Sequence, residues 1–227
     1  MLCIPVVIII CYTNKVIVKV VAIIHPQLNV WWVSQLLISW LLFTALYWLV
    51  NHSQRFNNWE LTIQKKWLGL HTGWGWQLIA NLFDPKLLVL WDFLLAGWLM
   101  FQGQLARSLF VLVTLGTVDV LGIMIKHTVK RTRPGTFTQA RPSYSFPSGH
   151  TLGITVMALM FQMLWTNHWG HIVILLIWLL VIVSRLTLHA HYPSDVIGAL
   201  LLAYVWWIGA ELLYLLIMRW KIEWTHD

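Results

Sequence analysis

Residues 105–134 read LARSLFVLVTLGTVDVLGIMIKHTVKRTRP, an apolar run from Leu105 to Ile125 that ends in a basic cluster. A helix of that length crosses about 30 Å of hydrocarbon, so the run is a membrane span that delivers Lys126 to the boundary. Outward from it lie further apolar runs at Val30–Val50, Lys86–Phe101, Ile172–Leu188 and Val196–Met218. Thr151–Trp165 is shorter and becomes adequate once its helix starts near Ser148. A Gln-Gly-Gln turn around Gly103 joins the runs on either side of it. The pattern predicts an all-α polytopic membrane bundle with six core transmembrane helices.

Composition agrees. Of 227 residues, 59% are hydrophobic and only 10% charged, which excludes an ordinary soluble domain. The 17 Trp include the pairs Trp31-Trp32 and Trp206-Trp207 near the ends or outer thirds of apolar runs, where indole favours the headgroup boundary; others pack in the core. Residues 1–29 form an N-terminal extension, 30–218 the six-span domain and 219–227 a tail. The apolar segment from Leu2 to Ile24 holds Lys15 and Lys19 inside the run rather than before it, unlike a signal peptide. It is read as an extension the core does not require, with an additional span as the alternative. Cys3 and Cys11 lie in this extension and have no spacing partner for a metal or a framework disulfide.

After the first span, Trp59, Ile63, Trp67 and Leu70 recur at helical spacing. Two readings stand, an amphipathic helix lying along the membrane or a helix packed on the bundle.

Three polar clusters interrupt the later runs. They are Lys126 to Arg133-Pro134, then Pro147-Ser148-Gly149-His150, then Ser184-Arg185 with His191 and Asp195 beyond. A cation at the centre of a membrane helix costs about 2.5–3.5 kcal/mol, so those at span ends still seek partners. No matching acidic cluster exists, and fixed Arg and Lys then call for an anion from outside the chain, for which a phosphoryl group is the natural guest. Pro193 suits the first turn of a helix, which puts His191 before that helix and Asp195 in its first turn. From there the carboxylate can take the proton of one imidazole nitrogen and leave the other as a nucleophile. His150 follows Gly149, whose missing side chain lets amides approach an anion at a helix N-terminus, and is placed for general acid work.

Other candidates carry less. The net charge of +7 does not point to nucleic acid, because the basic cluster lies between spans and has no stacking platform. His189 and His191 form a His-x-His pair, yet Asp195 and His150 have clearer roles than a metal site would give them. Asp92, Asp119 and Glu211 fall within spans and are read as structural or protonated carboxyls. His127, His168 and His171 are polar residues at span ends.

The three clusters together resemble the signature motifs of the type 2 phosphatidic acid phosphatase superfamily, Lys-x6-Arg-Pro, Pro-Ser-Gly-His and Ser-Arg-x5-His-x3-Asp. All eleven fixed positions are present, as Lys126, Arg133, Pro134, Pro147, Ser148, Gly149, His150, Ser184, Arg185, His191 and Asp195. The resemblance implies that His191 forms a phosphohistidine, Asp195 orients it and His150 protonates the leaving oxygen. Lys126, Arg133, Ser148, Gly149 and Arg185 would hold the phosphoryl oxygens, with no metal and no cofactor. It further implies a lipid phosphate or isoprenoid diphosphate substrate in the bilayer. Undecaprenyl diphosphate is favoured, with phosphatidic acid and phosphatidylglycerophosphate as alternatives. A non-catalytic lipid-phosphate binding or transport protein would keep the cations and lose a histidine or the aspartate, and none is lost. Vanadate haloperoxidase chemistry fits the same cradle but not a membrane setting.

Six spans put both histidine-bearing loops on one side and the C-terminus on the other. Arg107, Arg219 and Lys221 on the opposite face are compatible with that face being cytoplasmic, which puts the site outside the cytoplasm. Nothing in the sequence specifies an oligomeric state.

Overall fold

The computed structural model describes residues 30–67, 73–134, 144–165 and 167–224. The apolar segment from Leu2 to Ile24 and its two cysteines lie outside the described residues. Eight helices and no strand are found among those described: α1 (Val30–His52), α2 (Gln54–Trp67), α3 (Trp74–Leu82), α4 (Pro85–Phe101), α5 (Leu105–Val129), α6 (Gly149–Leu164), α7 (His168–Thr187) and α8 (Pro193–Trp224).

Four of them, α1, α5, α7 and α8, are long and apolar enough to cross a membrane. The remaining two expected spans, α4 and α6, are helices of 17 and 16 residues. Large apolar side chains face outward on all four long helices, among them Trp48, Val113, Leu176 and Leu216. Water would make such a surface aggregate, whereas lipid tails solvate it. The chain is a multi-pass helical membrane protein.

Local chemistry sets the helix ends. Asp84 caps α4, its Oδ1 accepting from Lys86 N at 3.0 Å, and Pro85 occupies the first helical position. Gly103, at a φ of 73°, makes the turn from α4 into α5. Ser148 caps α6 and Asn167 caps α7 through their side chains. The α8 helix begins at Pro193, with Asp195 in its first turn, and runs on past Met218 to Trp224.

The short helix α6 is the centre of the bundle and touches α4, α5, α7 and α8. Its residues from Thr151 to Met157 are all buried, the mark of a helix enclosed on every side. Glycines permit the close approaches. A Cβ on Gly153 would come within 2.8 Å of Leu88 on α4, and one on α5 Gly122 within 2.7 Å of Leu152. Gly198 on α8 likewise admits the ring of Phe146, which is fully buried just before the second motif. Of the Trp pairs expected at the boundary, Trp207 is instead core packing, edge-on to Phe110 at 5.6 Å between centroids. Trp206 donates from Nε1 to Thr117 Oγ1 at 3.1 Å. Asp92 is buried within α4, and its Oδ1 has no hydrogen-bond partner among the described residues.

Helix α2 packs on the bundle through a polar face roughly a quarter-turn from Trp59 and Ile63, and Leu70 lies outside the described residues. Trp59 is 59% exposed, while Glu60 and Gln64 are each 2% exposed. Asn57, Glu60 and Gln64 share one side at i, i+3 and i+7, and this polar side faces inward.

Candidate active site

The three sequence clusters meet where the C-terminal ends of α5 and α7 approach the N-terminal ends of α6 and α8. Backbone bonds lace the loops together. Ser145 N donates to Arg131 O at 2.8 Å, and Ser148 N to Asp195 O at 3.1 Å. Lys126 Nζ donates to Tyr144 O at 3.1 Å, which spends one of its three protons and leaves two.

His191 lies in the loop between α7 and α8 and is 1% exposed. Its Nδ1 is 2.9 Å from the carbonyl oxygen of Ser145. A carbonyl can only accept, so Nδ1 carries the proton and Nε2 presents the lone pair. Nε2 lies 3.5 Å from Arg133 Nη1, which also donates to Ala190 O at 3.3 Å. Burial first, and then the charges of Lys126, Arg133 and Arg185, hold the imidazole well below its usual pKa. The ring is therefore neutral at physiological pH. Burial also lowers the pKa of Arg133, against the attraction of Asp195; a guanidinium stays charged all the same.

Asp195 has both oxygens engaged. Oδ1 accepts from Arg131 Nη1 at 2.7 Å, and Oδ2 accepts from Tyr192 N at 2.9 Å. The same Oδ2 stands 3.5 Å from His191 Nδ1, farther away than the Ser145 carbonyl. The aspartate is thus beside the imidazole, while the shorter contact fixing the tautomer comes from the backbone.

His150 opens α6 at the rim. Its Nε2 lies 3.2 Å from Ala80 O, again an acceptor, so Nε2 bears a proton. The Oδ2 of Asp84 is 3.8 Å away. The fields of Arg185, His191 and Arg133 all reach His150, which groups the two histidines around the same cations.

Arg185 ends α7 at 6% exposure, and its Nε is buried without a hydrogen-bond partner among the described residues. A buried donor left unpaired costs about 1–3 kcal/mol, more when it is charged, so such a group marks where an anion is welcome. Gly149 lies against Lys126, whose Cε is 4.0 Å from where a Cβ would stand. Ser148 is fully buried and accepts from Thr151 N at 3.4 Å and Thr151 Oγ1 at 3.0 Å, which leaves its own hydroxyl proton to donate. Ser184 donates back into its own helix, to Val181 O at 2.6 Å. His189 lies beside Gln64 rather than joining a metal cluster, with Nδ1 3.4 Å from Gln64 Nε2.

The geometry thus gathers three polar clusters, two of them cationic, around two histidines, and comparison with known proteins accords with it. A model of the PAP2 superfamily matches residues 107–222, about half the chain and all three clusters. The chain belongs to the PAP2 superfamily. As a member it is a phosphatase, acting on lipid phosphate at the membrane. A solved transmembrane PAP2-type phosphatidylglycerolphosphate phosphatase from Bacillus subtilis shares the fold with a TM-score of 0.65 at 20% identity, over 79% of this chain and 95% of that one. No curated protein matches the chain in sequence.

Sequence reading did not single out Arg131, Glu60, Asn57, Gln64 or Asp84. Arg131 stood among flanking charges of the first cluster. The i, i+3, i+7 spacing of Asn57, Glu60 and Gln64 forms a polar stripe that the sequence shows, but amphipathicity alone does not say that this stripe faces the site.

Proposed function

We propose that this PAP2 phosphatase cleaves a lipid phosphomonoester or diphosphate through a phosphohistidine on His191, with undecaprenyl diphosphate as the favoured substrate. The observation that carries the reading is the imidazole of His191. It is neutral, with its proton held on Nδ1 by Ser145 and its Nε2 lone pair turned toward Arg133. In the first step Nε2 attacks phosphorus in line, the bond to the leaving oxygen breaks, and His150 gives that oxygen a proton. Lys126, Arg133, Arg185 and the amides near Gly149 meet the phosphoryl charge, a preorganised field that performs the role a metal ion has elsewhere. In the second step His150 takes a proton from water, the water oxygen bonds to phosphorus, and the P–N bond breaks. Asp195 steadies the imidazolium character that develops on His191.

The substrate preference rests on resemblance among compact bacterial lipid phosphatases, and it is tested by phosphate release. Detergent-solubilised protein is expected to act on undecaprenyl diphosphate faster than on phosphatidic acid or phosphatidylglycerophosphate, in excess chelator. A reversed ranking would reassign the lipid, and dependence on added divalent cation would remove the metal-free mechanism.

The site is proposed to face away from the cytoplasm. Arg107 lies at the end of α5 away from Lys126, and Arg219 and Lys221 lie at the end of α8 away from Asp195, so the non-catalytic ends of both helices carry cations. With Cys3 and Cys11 replaced, a cysteine at the exposed Thr132 should react with a membrane-impermeant maleimide on intact cells. Labelling only after permeabilisation would invert the topology.

A further inference from the structure

Helix α2 and Arg131 hold the loop that carries His191 through a buried polar network. Arg131 Nη2 donates to Glu60 Oε2 at 2.7 Å and to Asn57 Oδ1 at 2.8 Å, both on α2. Its Nη1 donates to Asp195 Oδ1 and to Ser194 Oγ, each at 2.7 Å. Glu60 continues the network, accepting from Ser194 N through Oε1 at 2.8 Å and from Ser194 Oγ through Oε2 at 2.6 Å. Gln64 Nε2 donates to His191 O at 3.3 Å. The guanidinium also lies 4.0 Å over the ring of Tyr192. Between His191 and Asp195, every residue except Pro193 is thereby gripped by α2 or by Arg131.

Stability alone is a weak account of this arrangement. Each buried charge carries a desolvation cost of several kcal/mol, and well-packed apolar residues often replace buried ion pairs with no loss. What a fork between two carboxylates supplies is direction. Arg131 ties the oxygen of Asp195 that does not face His191, and so sets the angle at which Oδ2 meets the imidazole. Lys126, Arg133 and Arg185 act on His191 electrostatically, whereas Glu60 bonds to Arg131 and Ser194. The network thus stands behind the nucleophile while the anion cradle stands before it.

We infer that Glu60 and Arg131 are positioning residues, a relay from α2 through Asp195 that fixes the imidazole of His191 for attack on the phosphoryl group. The inference rests on the phosphohistidine reading of the site. A displacement of the reacting atoms by about 1 Å can cost on the order of 100-fold in rate, so the relay acts on turnover rather than on anion binding. Ser194, which joins both halves, serves the same alignment with one hydroxyl.

The test measures kcat, KM and competitive inhibition by vanadate for Glu60→Gln, Arg131→Lys and Ser194→Ala, beside His191→Ala and the unmodified protein. Glu60→Gln is expected to lower kcat about 10–100-fold with KM and vanadate inhibition within about twofold, and Arg131→Lys, whose single ammonium cannot fork, to do the same. Ser194→Ala should lower kcat by about threefold to tenfold, and it decides the matter if the charged variants do not fold. A kcat within about twofold of the unmodified protein in Glu60→Gln and Ser194→Ala would overturn the relay. So would a loss of rate matched by loss of folded, monodisperse protein or by weakened vanadate inhibition. Activity surviving in His191→Ala is a different failure, because it removes the phosphohistidine reading itself.

Discussion

His191→Ala is expected to lower phosphate release on the order of 10⁵–10⁶-fold, about what the loss of a nucleophile costs where the parts of a site act as a unit. The expectation follows from the placement of the ring rather than from its presence. Its Nδ1 proton is committed to the Ser145 carbonyl, so a single nitrogen remains to attack. Among the described residues, no neighbouring side chain can substitute. Ser184 is turned into its own helix, and His150 holds its Nε2 proton toward Ala80. The anion cradle survives the substitution, so vanadate or phosphate should still bind while turnover and acid-labile phosphoenzyme both vanish. Brief exposure to radiolabelled substrate, quenched in alkali, measures the second quantity directly. A labelled, alkali-stable phosphoenzyme in His191→Ala would place the covalent step on another residue. The removed ring also leaves the Ser145 carbonyl without its partner, which costs about 1–3 kcal/mol. A thermal melt in detergent separates that loss from the loss of chemistry.

The line between what the sequence discloses and what it hides is physical. Motif residues are legible because charge in an apolar chain is costly, so Lys126, Arg133 and Arg185 advertise an anion before any coordinate is known. Pro193 likewise announces the start of α8, and Gly103 the turn between α4 and α5. The backbone partner of His191 is invisible in sequence, since every residue has a carbonyl and only the loop path brings that of Ser145 to 2.9 Å. Arg131 is hidden differently. It sits two residues before Arg133 in the same basic run, yet Arg133 turns toward Nε2 of His191 and Arg131 toward the carboxylates of Asp195 and Glu60. Extended backbone would put residues two apart on the same side, so the division of this cluster between two functions is set by the irregular path of residues 130–133, where Lys130 has a φ of 51°. Helix α2 misleads through its solvent. In water an apolar stripe seeks the core, but at a bilayer boundary Trp59 can face outward while Asn57, Glu60 and Gln64 face the loops. Amphipathicity identifies such a helix without saying which face is the inside.

His150→Gln should lower the rate of phosphohistidine formation by an amount that depends on the leaving group. A general acid contributes about 10²–10⁴-fold, and the need for it grows with the basicity of the departing oxygen. Phosphatidic acid must expel an alcohol oxygen, whose basicity is close to that of hydroxide, with a water pKa of about 15.7. An isoprenoid diphosphate expels a phosphate monoester, whose second pKa is about 6, so bond breaking needs little help from the proton that His150 gives that oxygen. The structure supports a proton at the right atom, because Nε2 of His150 faces the acceptors Ala80 O and Asp84 Oδ2 at the rim of the site. An ester oxygen entering there would take over the donor from the Ala80 carbonyl. Single-turnover phosphorylation is therefore expected to fall by about 10³-fold on phosphatidic acid and by about tenfold or less on undecaprenyl diphosphate. Steady-state rates will show a smaller contrast. Both substrates pass through the same phosphohistidine, whose hydrolysis uses His150 as the base whatever group has left. Equal losses on the two lipids in the single-turnover experiment would mean that His150 acts on the phosphoryl group itself, as a further anion ligand, and not on the leaving oxygen. The contrast also bears on the substrate, because an enzyme adapted to a diphosphate needs its acid less in the first step than its base in the second.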